Sequence, residues 1–411
     1  MRTHIAVIGG GIGGLCLAQG LRKAGVDVTV FERDRTPTDR LQGYRIHIDP
    51  NGAEALRDCL PPELWEAFTA TAGASNHDFG FITEKMKKLL VLKAPKENFD
   101  HYSASRITLR QVLLSGLDDV VRYGKTYERY ERDDDGTVTL HFADGTTATA
   151  DVVVAADGGN SRVRKQYLPH AQRVDTGIIT IAGKFPLDDT TRRMISPRLV
   201  DGPNSVIPPR SVGFFSAPHL ATESVGGFGV TEQEGALMDN SGGYILWALG
   251  AATNLFPAGI AGLTGKELKD AAAALTEGWH PDLRKLVTMT DQDTVSLLPI
   301  RTSVPIDAWQ ASNITLLGDA IHSMTPMRGI GANTALRDAR LLCRALTGGG
   351  DVVEAIAAYE EQMRGYGFAA VNDSLKAAEQ FVDGNAVARM GFKTFLRVAE
   401  RFPKLKAKVF S

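Results

Sequence analysis

The N-terminal segment contains the pattern that most constrains the fold of this chain. Residues 4–8 (HIAVI) are apolar and short enough for a buried strand, and Gly9, Gly11 and Gly14 follow directly. Apolar residues then recur at helical spacing before a second apolar strand. This G-x-G-x-x-G spacing predicts a βαβ unit. Its first glycine allows a tight turn, the second lets a pyrophosphate approach the backbone, and the third lets helix and strand pack closely.

An acidic residue ends the second strand, at the position where a dinucleotide site needs one. Glu32 lies 18 residues after Gly14, about where a carboxylate accepts a hydrogen bond from a ribose hydroxyl. Phosphates would lie at the N-terminus of the first helix, where free N–H groups and the helix dipole favour negative charge. The alternative is a glycine-rich turn without a ligand. The unit predicts dinucleotide binding, and it serves FAD and NAD(P) alike.

Composition and charge argue against several classes of function. The 411 residues are 43% hydrophobic and 23% charged, which is ordinary for a globular protein of two or three domains. A net charge of −2 gives no electrostatic signature for nucleic acid. The first strand begins close to Met1, so we expect no signal peptide, and no apolar run reaches the ~18 residues of a membrane span. We therefore expect a cytoplasmic protein with no nucleic-acid partner.

The three cysteines are far apart in sequence. Cys16, Cys59 and Cys343 each lie in a predicted helix, and the chain has no C-x-x-C pair. A zinc site or a dithiol redox centre would need distant partners. We expect buried structural thiols, and the sequence predicts no metal site.

Regions of different pattern alternate along the chain, which predicts interleaved domains of an α/β fold. Residues 1–75, 101–175 and 292–350 carry the α/β pattern and are assigned to one discontinuous Rossmann-like domain. Residues 76–100 and 176–291 contain alternating, aromatic-rich stretches typical of an antiparallel substrate-binding sheet. The remaining residues, 351–411, are predicted to be helical. Their basic, apolar end (FKTFLRVAERFPKLKAK) favours a packed helix over a helix at a membrane surface.

Two further motifs follow apolar strands and can converge with the first on one cofactor. The second motif begins at Asp157 (DGGNS), and the third begins at Gly318 and continues to residues 329–333 (GIGAN). Ligands of open α/β sheets bind beyond the carboxyl ends of the strands, so one shared site is expected. Asp319 can accept from a second ribose or a ribityl hydroxyl, and the amides of the following helix can face an electron-rich ring edge. NAD could use one acid and one glycine loop, whereas FAD would use all of them.

With these motifs the chain resembles class A flavoprotein monooxygenases of the para-hydroxybenzoate hydroxylase fold, including tetracycline-inactivating monooxygenases and aromatic polyketide hydroxylases. The resemblance rests on residues 9–14, on DGGNSRVR at 157–164 and on GDAIHSMTPMRGIGAN at 318–333. It implies a Rossmann-like FAD-binding domain interleaved with an antiparallel substrate domain, with helices at the C-terminus. It also implies non-covalent FAD and NAD(P)H as a transient co-substrate.

The activity implied by the resemblance is an NAD(P)H- and O2-dependent monooxygenase. It would hydroxylate an aromatic or polycyclic small molecule through a flavin hydroperoxide, as a monomer or homodimer. A flavin-dependent dehydrogenase or reductase and a non-catalytic FAD-binding redox sensor are the alternatives.

The resemblance also assigns residues to the cofactor. Arg106 opens a helix whose family counterpart contacts FAD, and Arg33 and Arg40 are further candidates. Asp157 belongs to the motif that supports the flavin and receives NAD(P)H. The complete set of candidate cofactor residues is Gly9, Gly11, Gly14, Glu32, Arg33, Arg40, Arg106, Asp157, Gly318, Asp319, Pro326, Gly329, Gly331, Ala332 and Asn333.

Arg45 and His47 are the candidate catalytic residues. They share one face of a predicted strand with Asp49, because side chains alternate along a strand. A base or a cation near the substrate would favour a reactive phenolate over a phenol. The alternative is that both residues contact FAD or solvent.

The aromatic-rich region supplies candidate substrate residues. Phe214, Phe228 and Trp247 could stack on a planar ring, although about half of such positions must face away from the pocket. Arg328 adds a charge close to the expected flavin ring, where it binds substrate or lies in solvent.

Overall fold

The chain has a mixed α/β fold, described by a computed structural model over residues 3–39, 45–74, 77–94, 100–209, 211–219 and 242–410. Two candidate residues, Arg40 and Phe228, lie outside these ranges. In chain order the described strands are β1 (His4–Ile8), β2 (Asp27–Phe31), β3 (Arg45–Ile48), β4 (Gly73–Ala74), β5 (Phe79–Ile82), β6 (Lys88–Leu92), β7 (Tyr102–Ser105), β8 (Val121–Arg122), β9 (Tyr127–Arg132), β10 (Val138–Phe142), β11 (Thr147–Ala150), β12 (Val152–Ala155), β13 (Arg173–Pro186), β14 (Asn204–Val206), β15 (Val212–His219), β16 (Tyr244–Ala252), β17 (Ser296–Ser303) and β18 (Ile314–Leu316).

The helices begin at identifiable caps. Asp49 caps the second helix by accepting a hydrogen bond from the Gly52 N–H at 3.0 Å, with Pro50 in the first turn. The described α-helices are α1 (Ile12–Lys23), α2 (Pro50–Cys59), α3 (Pro62–Thr71), α4 (Arg106–Leu114), α5 (Arg162–Tyr167), α6 (Asp189–Arg192), α7 (Pro197–Val200), α8 (Gly265–Leu275), α9 (Pro281–Thr288), α10 (Asp319–His322), α11 (Gly331–Thr347), α12 (Val352–Val382), α13 (Ala386–Arg401) and α14 (Pro403–Phe410).

A five-stranded parallel sheet forms the centre of the first domain. Its strand order is β18-β12-β1-β2-β8, and each neighbouring pair is parallel. The central strands are buried on both faces, as near-continuous apolar strands of a parallel sheet should be. The three predicted motifs follow β1, β12 and β18, so they meet at one edge of this sheet.

The three cysteines meet behind this sheet, where α1, α2 and α11 pack together. Cys16, Cys59 and Cys343 are buried and free, which confirms the expectation of buried structural thiols. Contact with Cys16 raises the pKa of Cys59 well above its ordinary value, and contact with Cys59 likewise raises the pKa of Cys343. Because the thiolate is the reactive form, these side chains pack as small apolar groups.

The second domain is built on a seven-stranded sheet with the order β17-β13-β16-β15-β14-β5-β6. Its described pairs are antiparallel except β14–β5, which is parallel. Strand β17 (Ser296–Ser303) belongs to this sheet, and β13 begins at Arg173. The sheet therefore extends beyond the predicted segment 176–291 at both ends.

One face of the large sheet is covered by α8 and α9, and the core there is aromatic. Trp247 and Phe214 are fully buried, with parallel rings whose centroids lie 6.2 Å apart. The Trp247 indole N–H donates to the Thr290 hydroxyl at 2.8 Å. Both rings pack with α8 and α9, so their assignment to the substrate is corrected: they lie in the core.

The C-terminal helices join the two domains. Helix α12 packs against α11 and against β15, β16 and β17, while α13 packs against β6. Leu396 and Ala399 of α13 are buried with Leu89 and Leu90 of β6. None of the helices in the described ranges is long and apolar enough to cross a membrane.

Replacing Trp247 by Phe tests its structural role. We expect the W247F variant to lose about 1–3 kcal/mol of unfolding free energy, because a buried hydrogen bond is lost and a small cavity forms. Urea unfolding measures this loss. The matched control is W279F, at a half-buried indole for which the described residues provide no hydrogen bond; equal losses in the two variants would contradict the prediction.

Candidate active site

A cavity of about 1800 Å³ joins the carboxyl edge of the parallel sheet to one face of the large sheet. Backbone-rich segments of the three motifs line one side, and side chains of β13, β15 and β16 line the other. The candidate residues that line it are Gly11, Gly14, Arg45, His47, Arg106, Gly318, Asp319, Pro326, Arg328, Gly329, Gly331 and Ala332. Most of the predicted cofactor residues therefore share one space.

The first glycine motif is packed too closely for side chains at two positions. Gly9 has a φ of +111°, and a Cβ there would lie 2.4 Å from the Ala156 carbonyl oxygen. A Cβ on Gly14 would lie 2.2 Å from the Gly9 carbonyl oxygen. At Gly11, by contrast, a Cβ would meet nothing within 4 Å. Gly9 and Gly14 hold the turn together, and Gly11 opens it to the cavity.

Glu32 is buried at the end of β2, where it fixes the same turn. One carboxylate oxygen accepts from the Gly10 N–H at 2.6 Å and the other accepts from the Asp34 N–H at 2.9 Å. Each oxygen has a second lone pair, so Glu32 keeps acceptor capacity for a ribose hydroxyl. Arg33 is exposed and does not line the cavity.

The Asp-Gly motif is held by charged side chains. One oxygen of Asp157 accepts from the backbone N–H of Arg162 at 2.8 Å, and burial raises the pKa of this carboxyl group. Arg164 is buried and links two motifs: it donates to the Gly159 carbonyl at 3.0 Å and to the Ala320 carbonyl at 2.7 Å. Arg164 was not predicted as a site residue from the sequence, although it is the last residue of the motif DGGNSRVR.

Asp319 is positioned by a buried network behind the third motif. The Asp319 side chain is accessible from the cavity, but protein surrounds it closely. This burial raises the pKa of its carboxyl group. Behind it, Asp338 accepts from the Gly318 N–H at 2.7 Å and contacts His322 Nε2 at 2.6 Å. Burial alone would lower the pKa of His322, but the Asp338 carboxylate outweighs burial and raises it. The buried pair therefore fixes the loop from which Asp319 reaches the cavity.

The start of α11 supplies the next part of the wall. A turn at Pro326–Arg328 and Gly329 lead into α11, so Gly331 and Ala332 present the first amides of a 17-residue helix to the cavity. Arg328 pairs with Asp373 of α12 at 3.0 Å.

Asn333 has a different place from the one expected. It is buried, it accepts from the Asp49 N–H at 3.0 Å, and it donates to the His47 carbonyl at 2.9 Å. It does not line the cavity. Asn333 therefore ties α11 to β3 and positions His47, rather than pointing at the cofactor site.

Arg45 and His47 lie side by side on the cavity face of β3. Arg45 donates to the Ser103 hydroxyl, and His47 Nε2 lies 3.2 Å from Nδ1 of His101, which also lines the cavity. Burial, and then the neighbouring His101 and Arg45, lowers the pKa of His47 to about 4. Sequence analysis missed His101, because it lies outside the motifs and is brought to β3 by the β3–β7 pairing.

The large sheet forms the opposite wall, with Phe79 and Phe81 of β5, Phe215 of β15 and mainly small side chains of β13, β15 and β16. Phe215 lines the cavity, while its neighbour Phe214 faces the core. The other lining residues on these strands are mostly small and include Thr180, Ala182, Ala217 and Ala248. Lys184 adds a cation, and burial lowers its pKa. The wall is therefore wide and mostly apolar.

Comparison with known proteins identifies the family. Residues 2–183 and 264–372 match the family model of the FAD binding domain. The chain belongs to this family. Its fold is that of a solved Photorhabdus luminescens protein assigned as an FAD-containing monooxygenase, with a TM-score of 0.84 and 39% identity over 92% of this chain and 98% of that one.

Several relatives of this chain have named activities. A dual O-methyltransferase/FAD-dependent monooxygenase of Cercospora beticola is 32% identical over 88% of this chain and 44% of its own length. The chain thus spans less than half of that relative. A 6-hydroxynicotinate 3-monooxygenase of Bordetella bronchiseptica is 28% identical over 88% of this chain and 87% of its own length.

The residues at the site fit FAD. Glycines that line the cavity, Gly11 and Gly158 among them, leave open space where a Cβ would stand, as a cradle for phosphates requires. The Asp319 carboxylate lines the cavity. Glu32 does not line it but lies directly behind Gly10, to which it is hydrogen-bonded. The wall formed by the three motifs, called the motif wall below, also receives the N-terminal amides of α1 and α11.

Two alanine variants distinguish a glycine needed for FAD binding from a glycine needed for folding. We expect G11A to cost the FAD-free protein less than about 1 kcal/mol, the effect of alanine at the N-cap of α1. It should raise the Kd for FAD at least about tenfold, because its methyl group occupies open cavity space. G14A should instead destabilise the FAD-free protein by about 1–3 kcal/mol through overpacking.

Fluorescence titration with FAD and thermal unfolding of the FAD-free protein check both expectations. The matched control is G262A, at an exposed position where a Cβ meets nothing within 4 Å. A G11A variant that binds FAD as tightly as the control would contradict the prediction that the FAD phosphates lie against Gly11.

Proposed function

We propose that this chain is an FAD-dependent monooxygenase that consumes NAD(P)H and O2 and hydroxylates an aromatic or polycyclic small molecule. The proposal rests on the shared cavity, in which the glycine motifs lie opposite the strands of the large sheet that include Phe215. FAD would supply the redox chemistry: it accepts hydride from NAD(P)H and activates O2. The named monooxygenase relatives support this activity.

The motif wall holds the cofactor. The Gly11 and Gly14 region would receive the pyrophosphate at the start of α1, and Glu32 the adjacent ribose. Asp319 would accept from the ribityl chain, and the amides of Gly331 and Ala332 would lie near the flavin ring. Arg106 lies close enough to Asp319 to lower its pKa against the effect of burial.

The opposite wall binds the substrate. Phe215 offers a ring for stacking, while Ala182, Ala217 and Ala248 leave room for fused rings beside it. Arg45 and Lys184 add positive charge that stabilises an ionised hydroxyl of the substrate. Enclosure between two walls keeps water away from the reacting atoms.

His47 acts as a general base in this proposal. Its lowered pKa keeps the imidazole neutral at pH 7, so it can accept a proton from a substrate hydroxyl. A proton taken up at Nδ1 lets Nε2 release its proton to Nδ1 of His101, 3.2 Å away. Asn333 holds the His47 backbone in place for this transfer.

Three free, buried cysteines suit a reducing compartment, which supports a cytoplasmic enzyme. Its partners would be the aromatic substrate and O2.

A substrate panel tests the activity. Phenols, anthraquinones and tetracyclines are incubated with the FAD-loaded protein, and NAD(P)H consumption, O2 uptake and product mass are measured. We expect one class to stimulate all three, with one oxygen atom gained by the product. F215A should raise KM about tenfold or more by removing the stacking ring, whereas F402A, at an exposed position, should not. Substrate-dependent NAD(P)H use without O2 uptake would favour the dehydrogenase alternative instead.

The pH dependence tests His47. Because its pKa is about 4, the acidic decline in kcat/KM due to this group should lie near pH 4 rather than near pH 6.5. The H47Q variant should lose roughly 10²-fold in kcat at pH 7, and the loss should shrink as rising pH ionises the substrate. The exposed control H170Q should keep the wild-type profile. An H47Q loss that is constant with pH would argue against a base.

A further inference from the structure

Helix α13 exposes an apolar stripe that nothing in the proposed reaction requires. Val387, Met390 and Val398 of α13 recur at helical spacing, Phe402 directly follows the helix, and the four are 74%, 65%, 41% and 56% exposed. The opposite side of the helix is packed, with Leu396 and its neighbours buried against β6. The helix is therefore anchored on one side and presents large apolar side chains to solvent on the other.

Positive charge surrounds this stripe. Residues 386–411 contain seven Lys and Arg and one Glu, although the whole chain has a net charge of −2. That acid, Glu400, is paired with Lys88 and Lys406. The exposed cations along and beyond the stripe are Arg397, Arg401, Lys404 and Lys408.

We propose that this face docks on an anionic phospholipid bilayer, with α13 lying in the plane of the membrane surface. The apolar stripe would enter the boundary between headgroups and acyl chains, and the flanking cations would reach lipid phosphates. Both features of an interfacial helix are present, and the attachment would be peripheral. The proposal is independent of the proposed oxygenation.

Charge argues against a second copy of the chain as the occupant. In a two-fold dimer the same patch meets itself, so the positively charged cluster of Arg397, Arg401, Lys404 and Lys408 would approach the same cluster of the other copy. Like charges at close range oppose such a contact, whereas an anionic bilayer attracts every one of them. The same helix borders the cavity through Phe392, so docking would bring the cavity rim close to the membrane.

Vesicle sedimentation tests the docking. The FAD-loaded chain is spun with sucrose-loaded vesicles of phosphatidylcholine alone or of phosphatidylcholine with 30% phosphatidylglycerol as the probe, at low and high NaCl. We expect partitioning at least about tenfold stronger with the anionic vesicles, and a loss of that preference at high salt.

Two double variants test the two features separately. M390E/V398E and R401Q/K404Q should each weaken partitioning at least about tenfold. The matched control M194E/M289E introduces the same charge at two methionines that are each 42% exposed on the other domain, and it should partition as the wild type does. FAD content and thermal unfolding confirm that each variant is folded.

Two outcomes would overturn the proposal. One is equal sedimentation with neutral and anionic vesicles at low salt. The other is a dimer in light scattering that M390E/V398E dissociates, because this would make the stripe a contact between copies of the chain.

Discussion

Close backbone packing at the end of β1 is the constraint on which the rest of the site depends. Gly9 lies against the Ala156 carbonyl, and Gly14 lies against the Gly9 carbonyl, at distances that no Cβ could occupy. This contact brings the first turn and the Asp-Gly segment together and aims α1 at the space between them. The cradle at Gly11 exists because its two neighbouring glycines allow such a close approach.

Polar side chains connect the other segments of the motif wall to one another through hydrogen bonds. Arg164 joins the Asp-Gly segment to α10 through two carbonyl groups, and Asp338 holds Gly318 and His322 at once. Asn333 then joins α11 to β3. These side chains are buried and hydrogen-bonded, so replacing one of them would leave a buried partner unsatisfied and destabilise the wall.

Much of the first domain was predictable from sequence, because its strands are buried on both faces and end in glycine motifs. The wall that the large sheet contributes to the cavity was not predictable. Adjacent residues on a strand face opposite sides, but β15 is buried on nearly its whole length, so no apolar-polar alternation reveals whether Phe214 or Phe215 faces the cavity. The contacts of the Asn333 side chain were not predictable for another reason: its partner Asp49 is 284 residues away, and no local pattern indicates that contact.

The two walls differ in what builds them, and this difference separates cofactor binding from substrate choice. Backbone amides and glycines form most of the cofactor wall, so its shape follows from the fold itself. Side chains of β13, β15 and β16 form the other wall, where exchanging Ala217 or Ala248 for a larger residue would reduce the space without touching Gly11 or Asp319. His47 lies on β3, in a separate three-stranded sheet with the order β3-β7-β4, and His101 directly precedes β7. Asn333 donates to the His47 carbonyl and so fixes the backbone of that residue. Substitutions at these strand positions can therefore change the shape of the cavity while the glycine motifs, His47 and His101 stay in place.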